Sequence, residues 1–257
     1  MRLDDPESVS VVVPVFNEEP NLPALHREIG LVMKGLALPW ELILVDDASD
    51  DGSAAVIDRL VVADEHVRGL TLDRRSGQSA ALLAGFAAAC GDVVVTLDAD
   101  LQNDPADIPT LLDALPGHGA AIGWRRDRND TWVRRMSSRI ANGVRNRLTH
   151  ETVRDTGCSL KAMRRHVLQH LPHYQGMHRF LPTLIKMEGV TVVERPVGHR
   201  PRQAGVSKYG IGNRLMVGIG DVMMVRWLQR RHVHVGVERA AGRGLSETRR
   251  PGGASGS

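Results

Sequence analysis

Two carboxylates that follow an apolar run are the residues whose types and spacing most directly indicate chemistry. Residues 93–97 form a strand-like run that leads into Asp98 and Asp100, with Gln102 two positions further on. Carboxylates at the end of a buried strand are costly unless a cation balances them. Mg²⁺ and similar hard cations take oxygen ligands, and substrate phosphates often complete their coordination. The spacing therefore predicts a metal that holds a phosphorylated substrate, and a solvated acidic turn is the alternative.

Two earlier apolar runs, residues 9–13 and 40–45, also lead into polar residues. The polar side chains that follow them are Asn17, Glu18, Asp46 and Asp47. The carboxyl ends of parallel strands meet at one edge of an open sheet, where the ligands of such folds bind. Three polar strand ends therefore predict a nucleotide-binding edge rather than three unrelated turns.

The elements that must position these residues alternate between short β runs and helical stretches. The predicted strands are residues 9–15, 40–45, 67–72, 93–97 and 120–124. The predicted helices between them are residues 21–36, 53–64, 78–89 and 108–115. This βαβα order predicts an α/β fold in which helices cover both faces of a mostly parallel sheet. The nearly continuous apolar strands agree with a sheet that is buried on both faces.

The charge of the chain is divided unevenly along its length. Residues 1–110 carry 7 Lys or Arg and 20 Asp or Glu, a net charge of −13. Residues 111–257 carry 26 Lys or Arg and 10 Asp or Glu, a net charge of +16. This polarity predicts a metal-holding part and a part that faces anions or a membrane surface. We expect no nucleic-acid partner.

Two helical segments in the basic part have the composition of membrane-surface helices. Residues 132–148 predict a basic amphipathic helix, which either lies on an anionic membrane or packs on the sheet with solvated arginines. Residues 211–228 predict a second helix, at a membrane surface or at a dimer interface. We therefore divide the chain into a catalytic domain at 1–205, a membrane-peripheral or oligomerisation helix at 206–235 and a disordered tail at 236–257.

The sequence shows neither a signal peptide nor an apolar run long enough to span a bilayer. These features predict a cytoplasmic protein that contacts the cytoplasmic membrane face peripherally. The two cysteines, Cys90 and Cys158, are expected to be buried small side chains rather than a disulfide or part of a metal cluster. His173 and His178 show no ligand spacing and are interpreted as bystanders.

Six segments in order resemble the family 2 glycosyltransferases, and most closely the dolichyl- or undecaprenyl-phosphate sugar transferases. These segments read VVVPVFNEE, VDDASDDGS, GQSAALLAGFAAACGDVVVTLDADLQNDP, IGWR, RDTGCSLKAMRR and RQAGVSKYG. The resemblance implies a Rossmann-like GT-A fold, a UDP- or GDP-sugar donor, Mg²⁺ or Mn²⁺, and a polyprenyl phosphate acceptor. It also implies inversion of the anomeric configuration.

The resemblance implies roles for the residues that match the motifs of the family. The residues that would border the nucleotide are Pro14, Val15, Asn17, Glu18, Asp47, Gln78, Asp98, Ala99 and Asp100, with Asp46 less favoured than Asp47. The metal and the donor diphosphate would be held by Asp98, Asp100 and Gln102. The residues that would act in catalysis are Arg125, Asp155, Arg202 and Lys208. The acceptor phosphate would be bound by Arg202, Ser207 and Lys208.

The chemistry of the implied reaction limits what Asp155 has to do. Departure of a nucleoside diphosphate builds negative charge, which a metal and cationic side chains stabilise without proton transfer. A phosphate acceptor is already ionised near neutral pH and needs alignment rather than a strong base. We therefore expect Asp155 first to orient groups and second to act as a base. A structural pair with Arg154 or Arg164 is the alternative.

Three other functions are compatible with parts of this pattern. An enzyme with the same donor and a soluble or saccharide hydroxyl acceptor would need Asp155 as a true base. A non-catalytic nucleotide-sugar-binding protein would have little need of the two carboxylates at 98 and 100. A nucleotidyltransferase would be expected to open with a glycine-rich phosphate loop, which the first strand lacks. Processive members of the resembled family carry a Gln-x-x-Arg-Trp motif. This chain has Arg226 and Trp227, but Met223 stands where the Gln would be, so processive synthesis is not expected.

Overall fold

The structure of the protein is a computed structural model, and it describes residues 5–126, 153–201 and 211–231. Its strands are β1 (Val9–Val15), β2 (Trp40–Asp46), β3 (Val67–Thr71), β4 (Val93–Thr96), β5 (Ala120–Arg125), β6 (Lys161–Arg164) and β7 (Val192–Val197). Its α-helices are α1 (Leu22–Leu36), α2 (Ser53–Ala63), α3 (Gln78–Ala88), α4 (Ile108–Ala114), α5 (Arg165–Leu168), α6 (Leu181–Met187) and α7 (Ile211–Arg231). All five predicted strands and all four predicted helices are present, with ends that differ from the predictions by one residue at most.

The seven strands form one mixed sheet in the order β3-β2-β1-β4-β6-β5-β7. The first four strands in that order run parallel, β6 runs antiparallel to both of its neighbours, and β7 is parallel to β5. The sequence analysis did not predict β6 or β7. Both strands contain charged residues, a lysine and an arginine in β6 and a glutamate and an arginine in β7, so neither forms the continuous apolar run that identified the other strands.

The core lies on both faces of this sheet, because successive residues of a strand point to opposite sides. On one face Val11 and Val13 pack in the cluster that receives α1, α2 and α4. On the other face Val12 packs in the cluster that receives α3, α6 and Val225 of α7. The prediction of a mostly parallel sheet covered by helices on both faces is confirmed.

The loops after β1, β2 and β4 contain unusual backbone conformations. Asn17, Ala48 and Leu101 have φ angles of 54°, 54° and 59°, and they lie in these three loops. A residue other than glycine in this left-handed region costs about 1 kcal/mol or more. Such strain is typical of functional sites, where the surrounding structure holds it in place. Three of the four described non-glycine residues with positive φ thus lie at the predicted nucleotide-binding edge, and the fourth, Ala37, ends α1.

The C-terminal helix α7 packs its inner side on the second core cluster. Val225 is fully buried and Val222 is partly buried there, whereas Met223, Met224 and Trp227 are exposed. Within the described residues, no helix combines the length and apolarity needed to cross a membrane. The predicted basic helix at 132–148 lies outside the described residues.

The expectation of two buried cysteines is correct for Cys158 and wrong for Cys90, which is exposed. Cys90 lies in the turn between α3 and β4, where its backbone N–H donates to Glu41 at 2.7 Å. A residue in this turn follows the end of a helix, so its side chain is not enclosed by the sheet.

Candidate active site

The two carboxylates predicted to hold a metal lie in the loop that follows β4. Asp100 is buried, and its Oδ1 accepts from the backbone N–H of Gln102 at 3.2 Å. The Oδ1 of Asp98 accepts from Nε2 of Gln78, the first residue of α3, at 2.8 Å. Ala99, between the two carboxylates, is buried in the core. The fold therefore fixes both carboxylates and places the predicted residue Gln78 beside them.

The pKa of Asp98 is raised above its ordinary value, mainly by burial and further by the neighbouring charge of Asp100. A hydrogen bond from Ser159 and the cations Lys161 and Arg125 act in the opposite direction but do not outweigh burial. A raised pKa means that the ionised carboxylate is under-stabilised in its site. A bound cation would relieve this cost.

Asp155 and Arg125 form a two-pronged ion pair. Nε of Arg125 donates to Oδ2 of Asp155 at 2.7 Å and Nη2 donates to Oδ1 at 3.0 Å. The backbone N–H of Gly157 also donates to Oδ1 of Asp155, at 3.1 Å. The structure thus brings these two predicted catalytic residues together, but the partner of Asp155 is neither Arg154 nor Arg164. Arg125 at the end of β5 can reach it because β5 and β6 are neighbours and residues 153–160 lead into β6.

Lys161 is a buried cation behind these carboxylates that the sequence analysis did not identify. It is 3% exposed, and its Nζ donates to the backbone oxygen of Cys158. Burial lowers its pKa, while the charges of Cys158, Asp98 and Asp155 act to raise it. The sequence contained a signal for this residue, a lysine between Leu160 and the apolar pair Ala162–Met163. A charge at a buried strand position requires a partner, so this lysine could have been predicted to face the site carboxylates.

Asp47, at the end of β2, is buried and binds the loop that leads into α3. Its carboxylate accepts from the backbone N–H of Ser76 at 2.6 Å and from that of Gly77 at 2.8 Å. Asp46 instead accepts from the hydroxyl of its neighbour Ser49 at 2.5 Å. The carboxylate of Asp47 is thus bonded to the two residues that directly precede Gln78, whereas Asp46 contacts the start of the same loop through its backbone oxygen, which accepts from Leu72 at 2.9 Å.

The loop after β1 is tied to the loop after β2. The side chain of Asn17 donates to Asp50, and its Oδ1 accepts from the backbone N–H of Asp50 at 3.0 Å. The backbone N–H of Glu18 donates to Ser53 at 2.9 Å. Pro14 and Val15 are the last two residues of β1, and the side chain of Val15 is buried.

Phe16 and Arg75 join the loop after β1 to the loop before α3. The guanidinium of Arg75 lies 4.0 Å from the centre of the Phe16 ring. An arginine stacked on an aromatic ring forms a flat, cationic surface. The sequence analysis did not single out Phe16, although a phenylalanine directly after a buried strand could have indicated such a surface.

Residues 198–201 contact the loop that follows β4 and carries Asp98 and Asp100. The backbone N–H of Arg200 donates to the backbone oxygen of Gln102 at 2.8 Å. The guanidinium of Arg200 pairs with Glu28 and Asp104, each at 2.7 Å. The predicted phosphate-binding residues Arg202, Ser207 and Lys208 follow directly but lie outside the described residues.

The carboxylate oxygens of Asp98 and Asp100 suit a hard cation such as Mg²⁺ that takes only some of its ligands from the protein. Over residues 5–126, 153–201 and the C-terminal helix, no cluster of three or more His, Cys, Asp or Glu side chains could hold a metal. Mg²⁺ is commonly bound by one or two carboxylates, with water and substrate phosphates as the remaining ligands. Asp98 and Asp100 supply such a pair, and the under-stabilised charge of Asp98 favours a cation.

The sequence matches the family described as Glycosyl transferase family 2 over residues 10–171. The chain belongs to this family. The match begins in β1 and ends after β6, so it includes Asp98, Asp100, Arg125 and Asp155. The prediction of a family 2 glycosyltransferase is confirmed.

The chain is similar to the undecaprenyl-phosphate 4-deoxy-4-formamido-L-arabinose transferase of Aeromonas hydrophila subsp. hydrophila. The two are 41% identical over 213 residues, which is 82% of this chain. The chain spans 65% of the length of that relative.

Two solved structures have a fold similar to that of this chain. The glucosyl-3-phosphoglycerate synthase of Mycobacterium tuberculosis, in complex with Mn²⁺, UDP-glucose and phosphoglyceric acid, has a TM-score of 0.68 and 22% identity. That alignment covers 90% of this chain and 82% of the synthase chain. A mannosyltransferase of Pyrobaculum calidifontis, in complex with GDP-mannose and Mn²⁺, has a TM-score of 0.61 and 20% identity, covering 91% of this chain and 66% of the other. The predicted GT-A fold is confirmed.

Proposed function

We propose that this protein transfers one sugar from a UDP- or GDP-sugar to a polyprenyl phosphate, with inversion of the anomeric configuration. The observation that carries the proposal is the Asp98–Asp100 pair at the strand edge, beside the ion pair of Arg125 and Asp155. The family and the 41% identical undecaprenyl-phosphate transferase support this choice of reaction and acceptor.

Asp98 and Asp100 would hold Mg²⁺ or Mn²⁺, with Gln102 as a third oxygen donor. A divalent cation bound there supplies positive charge next to the departing diphosphate. The protein contributes the fixed orientation of the two carboxylates, through Gln78 on Asp98 and the backbone of Gln102 on Asp100. Two proteins of similar fold that bind Mn²⁺ together with a nucleotide-sugar support a divalent cation in this role.

The ion pair supports an acceptor that needs no deprotonation. Both carboxylate oxygens of Asp155 accept hydrogen bonds, from Arg125 and from the backbone of Gly157. With both oxygens engaged in these bonds, Asp155 is suited to orienting Arg125. A phosphate oxygen can attack the sugar carbon as an anion, whereas a hydroxyl must first lose its proton. We therefore assign Asp155 to hold Arg125 in position, and Arg125 to face the phosphate groups.

The remaining phosphate contacts are proposed for Arg202, Ser207 and Lys208. The hydrogen bond from the backbone N–H of Arg200 to the backbone oxygen of Gln102 supports this, because it holds the chain just before Arg202 at the loop that follows β4. Arg suits two-pronged contacts with a phosphate, and Lys supplies a mobile point charge.

The exposed side of α7 supports contact with the membrane that holds such a lipid. Met223, Met224 and Trp227 are 58%, 40% and 56% exposed. Arg231 lies 5.5 Å from the Trp227 ring, and Arg230 is also exposed. Apolar side chains flanked by cations are typical of helices that lie on an anionic bilayer. We propose peripheral binding at the cytoplasmic face, and a homo-oligomer formed through the same helix is the competing arrangement.

The test is transfer of label from a panel of UDP- and GDP-sugars, with Mn²⁺, to undecaprenyl phosphate or to soluble acceptors. We expect an organic-extractable product from one donor, which is lost with EDTA or in Asp98→Asn. Asp58→Asn, on the exposed side of α2, is the matched control and should retain activity. Label on a soluble acceptor alone would overturn the lipid acceptor. Absence of donor binding would overturn the proposed function entirely.

A further inference from the structure

Residues 174–180, which we call the brace, lie between the α7 helix and the loop that begins α3. Met177 and Phe180 anchor the brace, because both are buried in the second core cluster. The brace does not belong to any strand end, and it contains none of the residues predicted for the site. It contacts the loop at residues 76–79, whose own bonds hold two predicted site carboxylates.

The contact between the brace and this loop consists of three hydrogen bonds. Nε2 of Gln175 donates to the backbone oxygen of Ser76 at 3.1 Å. The backbone N–H of Gly176 donates to the hydroxyl oxygen of Ser79 at 3.0 Å. The same hydroxyl lies 2.8 Å from Nδ1 of His178, to which we assign its donated proton. Ser79 is buried, His178 is half-buried and Gln175 is exposed, so the part of this network centred on the Ser79 hydroxyl is the part shielded from water.

The loop held by the brace is attached to both carboxylate sites. Ser76 and Gly77 donate their backbone N–H groups to Asp47, and Gln78 donates its side-chain amide to Asp98. A shift of this loop would therefore move the donors that orient Asp47 and Asp98 together. Hydrogen-bond networks of this kind fix the geometry of a site without touching its ligand.

The opposite side of the brace is fixed by α7. Nη1 of Arg179 donates to Oδ2 of Asp221 at 3.2 Å. The Asp221 carboxylate also packs on Gly176, where an added Cβ would lie only 2.9 Å from its Oδ2. Gly176 has a φ of +92°, which favours glycine, so a side chain there is excluded on two grounds.

We propose that His178 and Asp221 are positioning residues of the donor site, which act through the brace and residues 76–79. The inference rests on the proposed function only for the nature of the ligand, a nucleoside diphosphate. It adds that the helix with the exposed Met223, Met224 and Trp227 is mechanically connected to the nucleotide edge. His178, interpreted from sequence as a bystander, thereby gains a role.

The experiment measures the binding of UDP and GDP, each with Mn²⁺, by calorimetry on the full-length chain. In His178→Leu the hydroxyl of Ser79 loses its acceptor, and we expect affinity to fall about tenfold, equivalent to about 1.4 kcal/mol. His178→Asn keeps an acceptor near the Nδ1 position and should bind within about twofold of the parent protein, a change of about 0.4 kcal/mol. Asp58→Asn is the matched surface control. In the transfer assay, the same His178→Leu variant should show a raised donor KM with little change in kcat.

Two further variants keep the inference testable if His178→Leu folds poorly. Gln175→Ala changes an exposed side chain, so it should leave the unfolding temperature unchanged and still weaken binding. Asp221→Leu should weaken binding as His178→Leu does. The double variant His178→Leu/Asp221→Leu should bind no more weakly than whichever single variant has the lower affinity. Equal affinity in all these variants, with a parent protein that binds, overturns the positioning role. A parent protein that binds neither UDP nor GDP overturns the proposed function instead.

Discussion

The buried imidazole of His178 makes a specific prediction about stability and pH. Burial lowers the pKa of His178 to about 3, and the nearby cations Arg179 and Lys161 contribute in the same direction. The folded protein thus disfavours protonation that the unfolded chain accepts near the ordinary value of 6.5. The contribution of this residue is therefore fully present above pH 6.5 and is lost as the pH falls toward the folded value.

The size of this loss between pH 7 and pH 5 depends mainly on the unfolded chain. Over that interval the folded ring stays neutral, while the unfolded ring takes up about 0.7 of a proton. The free energy of unfolding should fall by about 2 kcal/mol on account of this residue alone, at about 1.4 kcal/mol for each pH step below 6.5.

Urea unfolding of the parent protein and of His178→Asn, at pH 7, 6 and 5, isolates this contribution. Asn removes the titrating ring but keeps an acceptor for Ser79, so the difference between the two proteins reports the imidazole. We expect the parent protein to lose about 2 kcal/mol more than the variant on going from pH 7 to pH 5. Parallel pH dependences for the two proteins would refute the reasoning, since the ring would then titrate equally when folded and unfolded.

Three other predictions concern the residues around Asp98 and Asp155. Lys161→Met should lower the free energy of unfolding by roughly 1–3 kcal/mol, measured in urea, because the buried backbone oxygen of Cys158 loses its donor and Asp98 loses one of the two cations that favour its ionised form. Gly157→Ala should reduce kcat at least about tenfold, equivalent to about 1.4 kcal/mol, with donor binding retained. The reason is that its Cβ would lie 3.0 Å from Nη2 of Arg125 and disturb the ion pair. Asp98→Asn should abolish the Mn²⁺-dependent part of donor binding in calorimetry, and undiminished Mn²⁺ dependence would contradict the metal assignment.

The parallel half of the fold could be predicted from sequence because its signals are local. Each of β1, β2 and β4 is a buried apolar run that leads into polar residues, so the local pattern identified the strand. The strand β6 gave no such signal, since it is four residues long and carries a lysine and an arginine. Its place between β4 and β5 is decided by pairing with those strands, which no local pattern records.

The partners within the site were harder to predict than its residues. Asp155 was expected to pair, if at all, with an arginine close in sequence or in the same segment. Arg125, which pairs with it, lies 30 residues earlier, at the end of β5, and the two meet because the unpredicted strand β6 pairs with β5. Ser79 and His178 are separated by 99 residues and meet because the brace packs against α3. Such contacts follow from tertiary packing, which residue types and spacing alone do not determine.

The central claim is that one sugar passes from a nucleotide donor to a polyprenyl phosphate for each nucleoside diphosphate released. The most direct test is a time course with undecaprenyl phosphate, Mn²⁺ and the donor found in the panel, in which both products are quantified. We predict equal amounts of nucleoside diphosphate and lipid-linked sugar, with neither formed at a comparable rate when the lipid is omitted. Release of nucleoside diphosphate at the same rate without the lipid would contradict the account.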